Sequence, residues 1–313
     1  MFKKKSIEVA LKISVLLFFF YSIYWILQQK SFEPNSWLLI QQHIFTPKSV
    51  VLLIFSLLLV PFNWALEALK WQKLVSKIEK LTFFEAFQGV LLGLSLSTVS
   101  PLMIGEYAGK ILLLKSSERY RSFIGIFLGN FVQTLVSIFV GIIAYIFFIY
   151  NLHPTPLNLH LGIILLLVLG FLISTFLLFR LDIFSRIIQK IFKKKIEPIS
   201  AEYLLPIIYL SFVRFIVFSI QFILILKIFA PNISFGVLMV GVGLIFLVKT
   251  IFGNLHTLGD LGSRTLISLY YFSFYGINSQ LILAATLLIW CINVLLPALL
   301  GSLFVWQLKL SRH

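Results

Sequence analysis

Six long apolar runs constrain this chain more than any other feature. They lie at about residues 8–27, 49–69, 122–149, 160–180, 203–228 and 280–307. Each has at least 20 residues, the length a helix needs to cross the hydrocarbon core of a bilayer. Backbone in lipid must satisfy its own hydrogen bonds, so such runs fold as helices. Charged residues make up 12% of the chain, against about 25% in soluble domains. The expectation is an all-α integral membrane protein, one transmembrane domain over residues 1–313 with no separate globular domain.

Basic Lys3, Lys4 and Lys5 precede the first run, as in a secretory signal. The run is too long for a signal core and no small-residue cleavage site follows, so it reads as a retained first span. The single cysteine, Cys291, excludes an internal disulfide, and five scattered histidines offer no metal cluster. No cofactor is expected.

Short loops rich in Lys and Arg stay on the cytoplasmic side. Lys70, Lys73, Lys77 and Lys80 place one loop there, and Lys115, Arg119 and Arg121 the next. Arg180, Arg186, Lys190 and Lys193 to Lys195 mark a further inner loop. Lys309 and Arg312 place the C-terminus inside, as the lysines near Met1 place the N-terminus. The stretches 28–47, 150–159 and 229–234 become outer loops. These basic residues also attract anionic lipid, and no nucleic-acid-binding module accompanies them. The localisation expected is the inner (cytoplasmic) membrane of a bacterium, multi-pass.

Two more apolar regions, 82–118 and 235–277, are interrupted in the middle by glycine and polar residues. Both flanks of 82–118 are cytoplasmic, so the chain must enter and return there. Its arms are about 18 and 14 residues, short of the roughly 20 of a perpendicular crossing. A re-entrant helical hairpin is preferred over two short crossings. Region 235–277 becomes a second hairpin from the opposite side.

Residues 1–150 and 158–308 then share one order: span, span, hairpin, span. Three full spans is an odd number, so the second half is inverted relative to the first, an arrangement common in transporters. The hairpin tips align without gaps. In "MIGEYAGK" and "TLGDLGSR", Gly105 meets Gly259, Glu106 meets Asp260 and Lys110 meets Arg264.

Irregular backbone inside a bilayer must be buried in protein or line a wet cavity, so the tips should face a shared cavity. Ser100 and Pro101 suit the N-cap and first position of a helix whose positive end favours phosphate or carboxylate. Thr257 and Asp260 have the spacing of a cap for the second tip. Ionisable groups inside a membrane are costly and need partners. Glu106 with Lys110, and Asp260 with Arg264, have the i,i+4 spacing of ion pairs. They either only hold the tips or also line a pocket for a lipid head group. Arg214, within "SFVRFIVF", needs a tip acid or a lipid phosphate. Lys249 is placed to line the cavity, Glu67 reads as interfacial and His256 as a satisfied polar residue. Gly89 and Gly93, Gly125 and Gly129, and Gly241 and Gly243 permit close helix contact.

At the tips the sequence resembles the lysylphosphatidylglycerol synthase transmembrane-region family, or flippase-like domain family. "PLMIGEYAGK" has the family's proline, Gly-Glu and following base, and "LGDLGSR" looks like its glycine-rich second motif. "NWALEALKW" at 63–71 is similar to the family's second span. Lys110 stands where an arginine is usual, Thr265 where an acid is common, and the second motif lacks its nearby proline. The resemblance implies a membrane protein that handles lipids. Members fused to a soluble aminoacyl-transferase domain make and flip aminoacylated phosphatidylglycerol. This sequence ends at His313 without such a domain, so lipid aminoacylation by this chain alone is not expected.

The function expected is a lipid flippase or lipid-binding transporter for a phospholipid or polyprenyl-phosphate-type lipid. The alternative is an accessory subunit or enzyme of membrane glycolipid or lipid modification, with a synthase or glycosyltransferase as possible partner. Glu106 and Asp260 would bind cationic parts of the head group or set its protonation. Lys110, Arg214, Arg264 and the helix end at Ser100-Pro101 would bind phosphate, with Gly105, Gly259 and Lys249 in the same site. No P-loop appears, so direct ATP coupling is not expected.

Overall fold

A computed structural model describes residues 34–100, 104–116, 119–152, 157–180, 204–252 and 257–304. The expected first span at 8–27 lies outside these residues, as do Pro101, His256, the basic loop at 186–195, Lys309 and Arg312. The described chain is helical and contains no strand. In order come α1 (Pro34–Ile44), α2 (Pro47–Val75), α3 (Phe83–Val99), α4 (Ile104–Leu112), α5 (Ser122–Leu152) and α6 (Leu157–Phe179). Then follow α7 (Leu204–Phe229), α8 (Phe235–Phe252), α9 (Thr257–Ser273) and α10 (Ser279–Trp290). α10 runs through a π turn (Cys291–Leu295) into α11 (Leu296–Ser302).

Five of these helical stretches are long and apolar enough to cross a membrane: Pro47–Val75, Ser122–Asn151, His160–Phe179, Leu204–Phe229 and Ser279–Ser302. They coincide, within a few residues at most ends, with five of the six expected spans. Regions 82–118 and 235–277 each hold a pair of shorter helices. One expectation is corrected: the stretch 28–47, read as a loop, contains α1.

Local chemistry sets several boundaries. Before α2, Thr46 Oγ1 accepts the Ser49 N–H at 3.2 Å, and Pro47 occupies the first turn, where its missing N–H costs nothing. α3 opens with a capping box. The Glu85 N–H donates to Thr82 Oγ1 at 3.3 Å, and the Thr82 N–H donates to Glu85 Oε2 at 2.9 Å. The π turn has an equally local cause. Pro297 has no N–H for the carbonyl four residues back, that of Asn293, and the helix loosens there. The Leu296 N–H instead reaches the carbonyl of Cys291, five residues back.

α3 and α4 run antiparallel, backbone against backbone. Gly105 lies on Leu96 and Ser97, and Gly109 lies on Gly93. A Cβ added at Gly93 would sit 2.8 Å from the Glu106 carbonyl oxygen. No larger residue fits this contact, which is the use of small residues between membrane helices. α8 and α9 are also antiparallel but meet through side chains. Gly241 faces the rings of Tyr271 and Phe272, and Tyr271 Oη donates to the Val237 carbonyl at 3.0 Å.

Three further pairings assemble the bundle: α2 along α7, α3 along α11, and α5 along α8. Each joins a helix from the first half of the chain to one from the second. The main apolar core, which includes Phe222, Leu226, Ile245 and Phe272, is built mainly from α5, α7, α8, α9 and α10. α6 is almost wholly exposed and apolar, a face suited to lipid.

Candidate functional site

Polar residues recur at helical spacing inside three of the spans. On α2 they are Ser56, Asn63, Glu67 and Lys70. On α5 they are Asn130, Gln133, Thr134 and Ser137, and on α7 Ser211, Arg214 and Gln221. Spacings of three, four and seven put each set on one helix face. The α2–α7 pairing turns two of these faces together: Gln221 Nε2 donates to the Ser56 carbonyl at 2.8 Å. Gln133 Nε2 joins α5 to the same region by donating to the Ser211 carbonyl at 3.2 Å.

Glu67, only 4% exposed, is the hub of a first charge cluster. Its Oε1 accepts from Lys110 Nζ at 2.9 Å. Its Oε2 meets Lys70 Nζ at 2.6 Å and Arg214 Nη1 at 2.9 Å. Lys110 Nζ also donates to Glu106 Oε1 at 2.7 Å, and Asn130 Nδ2 donates to Glu106 Oε2 at 3.2 Å. Arg214 Nε donates to Asn63 Oδ1 at 3.2 Å, and its guanidinium stands 5.1 Å from the Trp64 ring.

A second cluster sits on α8 and α9. Arg264 Nε reaches both oxygens of Asp260 at 3.1 Å, and its Nη2 lies 3.0 Å from Oδ2. Lys249 Nζ stands 3.6 Å from Asp260 Oδ1. The Arg264 guanidinium also packs 5.3 Å from the Phe218 ring.

Both clusters open into one cavity of about 370 Å³. That volume suits a small ligand or a head group. Glu67, Glu106, Lys110 and Arg214 line it from the first cluster, and Lys249, Asp260 and Arg264 from the second. Four cations thus face three carboxylates, and buried Lys70 adds a fifth cation behind Glu67. Every one of these carboxylates is already paired with a cation, so the excess charge of the site is positive. In a low-dielectric bundle such an excess favours an anion.

The structure therefore brings together six of the residues singled out from sequence: Glu106, Lys110, Arg214, Lys249, Asp260 and Arg264. Both expected i,i+4 pairs form. Ser100 does not line the cavity; its Oγ accepts the Gly105 N–H at 2.7 Å at the start of α4. Gly105 is spent on the contact with α3, and Gly259 is exposed away from the cavity lining. Two readings are corrected. Glu67 is buried at the centre of the network rather than interfacial, because three cations from three helices converge on it. Arg214 takes Glu67 as its partner rather than a tip acid, since the α2–α7 pairing brings together residues 147 apart in sequence.

Sequence reasoning missed Asn63, Lys70, Asn130, Gln133 and Asn293 as site residues; Lys70, read as a marker of an inner loop, is instead buried within α2 against Glu67. The first four lie on the polar stripes of α2 and α5, a signal present in the sequence. Asn293 lies in the π turn, fully buried, and lines the cavity. Among the described residues, no group of three or more His, Cys, Asp or Glu side chains is arranged to hold a metal.

No curated protein and no solved structure matches the chain. Residues 8–301, nearly its whole length, match the model of the lysylphosphatidylglycerol synthase transmembrane region, and the chain belongs to that family of lipid-related membrane proteins.

Proposed function

We propose that this protein is a lipid flippase or lipid-binding transporter for a phosphate-bearing lipid, such as a phospholipid or polyprenyl phosphate. The observation that carries the reading is the single cavity in which charged residues from both helix pairs converge, cations in excess, inside an otherwise apolar bundle. The phosphate sits among Lys110, Arg214, Lys249 and Arg264, while the tails stay in the apolar surroundings. On this reading the site binds and moves lipid rather than modifying it, with Glu67, Glu106 and Asp260 each engaged by cations of the site.

The wider arrangement supports transport. The α2–α7 pairing joins counterpart spans of residues 1–150 and 158–308, and the α3–α11 and α5–α8 pairings mirror each other, each setting the first helix of one pair against the last span of the other half. On this reading the two halves form an inverted repeat, with the two helix pairs as re-entrant hairpins meeting at the middle. On the same reading the membrane is the bacterial inner membrane and both termini are cytoplasmic, in keeping with the positive charge of the loops assigned to that side.

Reconstitution into liposomes tests the reading. Phosphatidylglycerol with a fluorescent acyl label is incorporated in both leaflets, and the outer label is destroyed with membrane-impermeant dithionite. Protein-dependent loss of the inner label, abolished by Arg264→Gln, is the expected result. Binding without movement would favour the accessory-subunit alternative. Neither binding nor movement, across phospholipids and a polyprenyl phosphate, would refute the proposal.

A further inference from the structure

The charged clusters account for the anion but leave neutral groups of the cavity wall without partners. Asn293 is fully buried, and neither its Nδ2 nor its Oδ1 meets a hydrogen-bond partner among the described residues. The same holds for Gln133 Oε1, Arg264 Nη1 and Trp64 Nε1. All four side chains line the cavity. Buried amides are nearly always hydrogen-bonded, and leaving both ends of one empty is costly. Here the backbone is also built around the residue. Pro297 forces the π turn that contains Asn293, and such turns cluster at functional sites.

The unmatched atoms are of both kinds. Arg264 Nη1, Trp64 Nε1 and Asn293 Nδ2 are donors, and a phosphodiester supplies acceptors for them. Asn293 Oδ1 and Gln133 Oε1 are acceptors, and a phosphodiester has no hydrogen to give them. A quaternary ammonium has none either. A primary ammonium does, but it would seek carboxylates, and those here are engaged by Lys and Arg. A hydroxyl answers both ends of a neutral amide.

Resting on the lipid-binding reading above, we infer that Asn293 is a specificity-determining residue, supported by Gln133. It recognises a hydroxyl group on the ligand beside the phosphate, so the ligand class is a polyol phosphate lipid. Phosphate binding by the cations provides attraction, and the amide pair decides which head group is kept. A head group without a hydroxyl leaves two buried acceptors empty, which is how a site built for a hydroxyl rejects its deoxy analogue.

Two lipids of equal charge separate these contributions. Phosphatidylglycerol and phosphatidylethanol each carry one phosphodiester charge, and only the first has hydroxyls. Native mass spectrometry of the full-length protein in neutral detergent, with matched acyl chains, measures both affinities. The wild type should prefer phosphatidylglycerol about tenfold or more. In Asn293→Leu the preference should collapse, because phosphatidylglycerol binding weakens by more than phosphatidylethanol binding does. Its melting temperature should rise, because an apolar side chain removes a buried unmatched amide. Asn293→Ser, which keeps a donor and an acceptor, should retain part of the preference. Equal binding of the two lipids by the wild type overturns the inference and leaves the lipid-binding reading standing. So does a preference that survives in Asn293→Leu. If neither lipid binds, the inference falls together with the reading beneath it.

Discussion

The two helix pairs carry the same motif and use it differently. In α3–α4, Glu106 and Lys110 are drawn into a network with Glu67, Lys70, Arg214 and Asn130, and every carboxylate oxygen has a donor. In α8–α9, both oxygens of Asp260 also have a donor, but among the described residues its cations are just Arg264 and Lys249. Lys249 stands at 3.6 Å, beyond hydrogen-bond length, and Arg264 Nη1 has no partner among the described residues. The backbones differ in the same sense. The first pair is locked glycine to glycine, while the second is held through aromatic rings. One acid–base spacing thus yields a rigid, saturated anchor on one side and an unsaturated, adaptable wall on the other. On our reading the second wall meets the phosphate first.

The largest effect should come from Glu67→Ala. It leaves Lys70, Lys110 and Arg214 without their shared counter-charge, and breaking a buried ion pair costs about 3–5 kcal/mol. Thermal unfolding in detergent should show it as a large drop or as loss of folded protein. Asp260→Ala should cost less, because it strands two cations rather than three and one of them, Lys249, keeps 26% side-chain exposure and can be solvated. Equal losses would remove the distinction between saturated and unsaturated clusters.

Gly109→Ala comes next. Its Cβ would enter the backbone of Gly93 and Leu92, which cannot move aside, so destabilisation of about 3 kcal/mol is expected. Gly241→Ala meets ring atoms of Phe272 and Tyr271 at 2.7 Å, and rings can turn, so about 1–2 kcal/mol is expected. If the order of these two melting temperatures is reversed, the contrast in backbone packing is wrong. Smallest in stability is Lys249→Gln, expected to change unfolding by less than about 1 kcal/mol while weakening phosphatidylglycerol binding about tenfold. Native mass spectrometry checks the second part. A variant that binds as tightly as wild type would show that the second wall does not meet the phosphate.

Much of this was legible in the sequence because lipid permits few backbone solutions. Five described spans fall where the apolar runs lie, and the short apolar regions form helix pairs. Glu106–Lys110 and Asp260–Arg264 follow from helical periodicity alone. The stripe of Asn130, Gln133, Thr134 and Ser137, an amphipathic pattern with its polar face inward, was equally present in the sequence. Two things were not local. Arg214 finds Glu67 across 147 residues, which only the α2–α7 pairing decides. Asn293 is one amide among apolar neighbours, and its place in the cavity wall depends on the packing of the α10–α11 helix against the rest of the bundle.

The central claim is that the cavity between the helix pairs holds a lipid head group. A phosphatidylglycerol analogue with a photoreactive diazirine attached at one glycerol hydroxyl, the other left free, tests this most directly. It is crosslinked to the protein in nanodiscs, and the adducts are mapped by mass spectrometry. We predict labels on cavity residues of α2, α7, α8 and α9, around Trp64, Phe218, Lys249 and Arg264, reduced in Lys249→Gln. Labels confined to surface lysines such as Lys73 and Lys80, unchanged in that variant, would contradict the account.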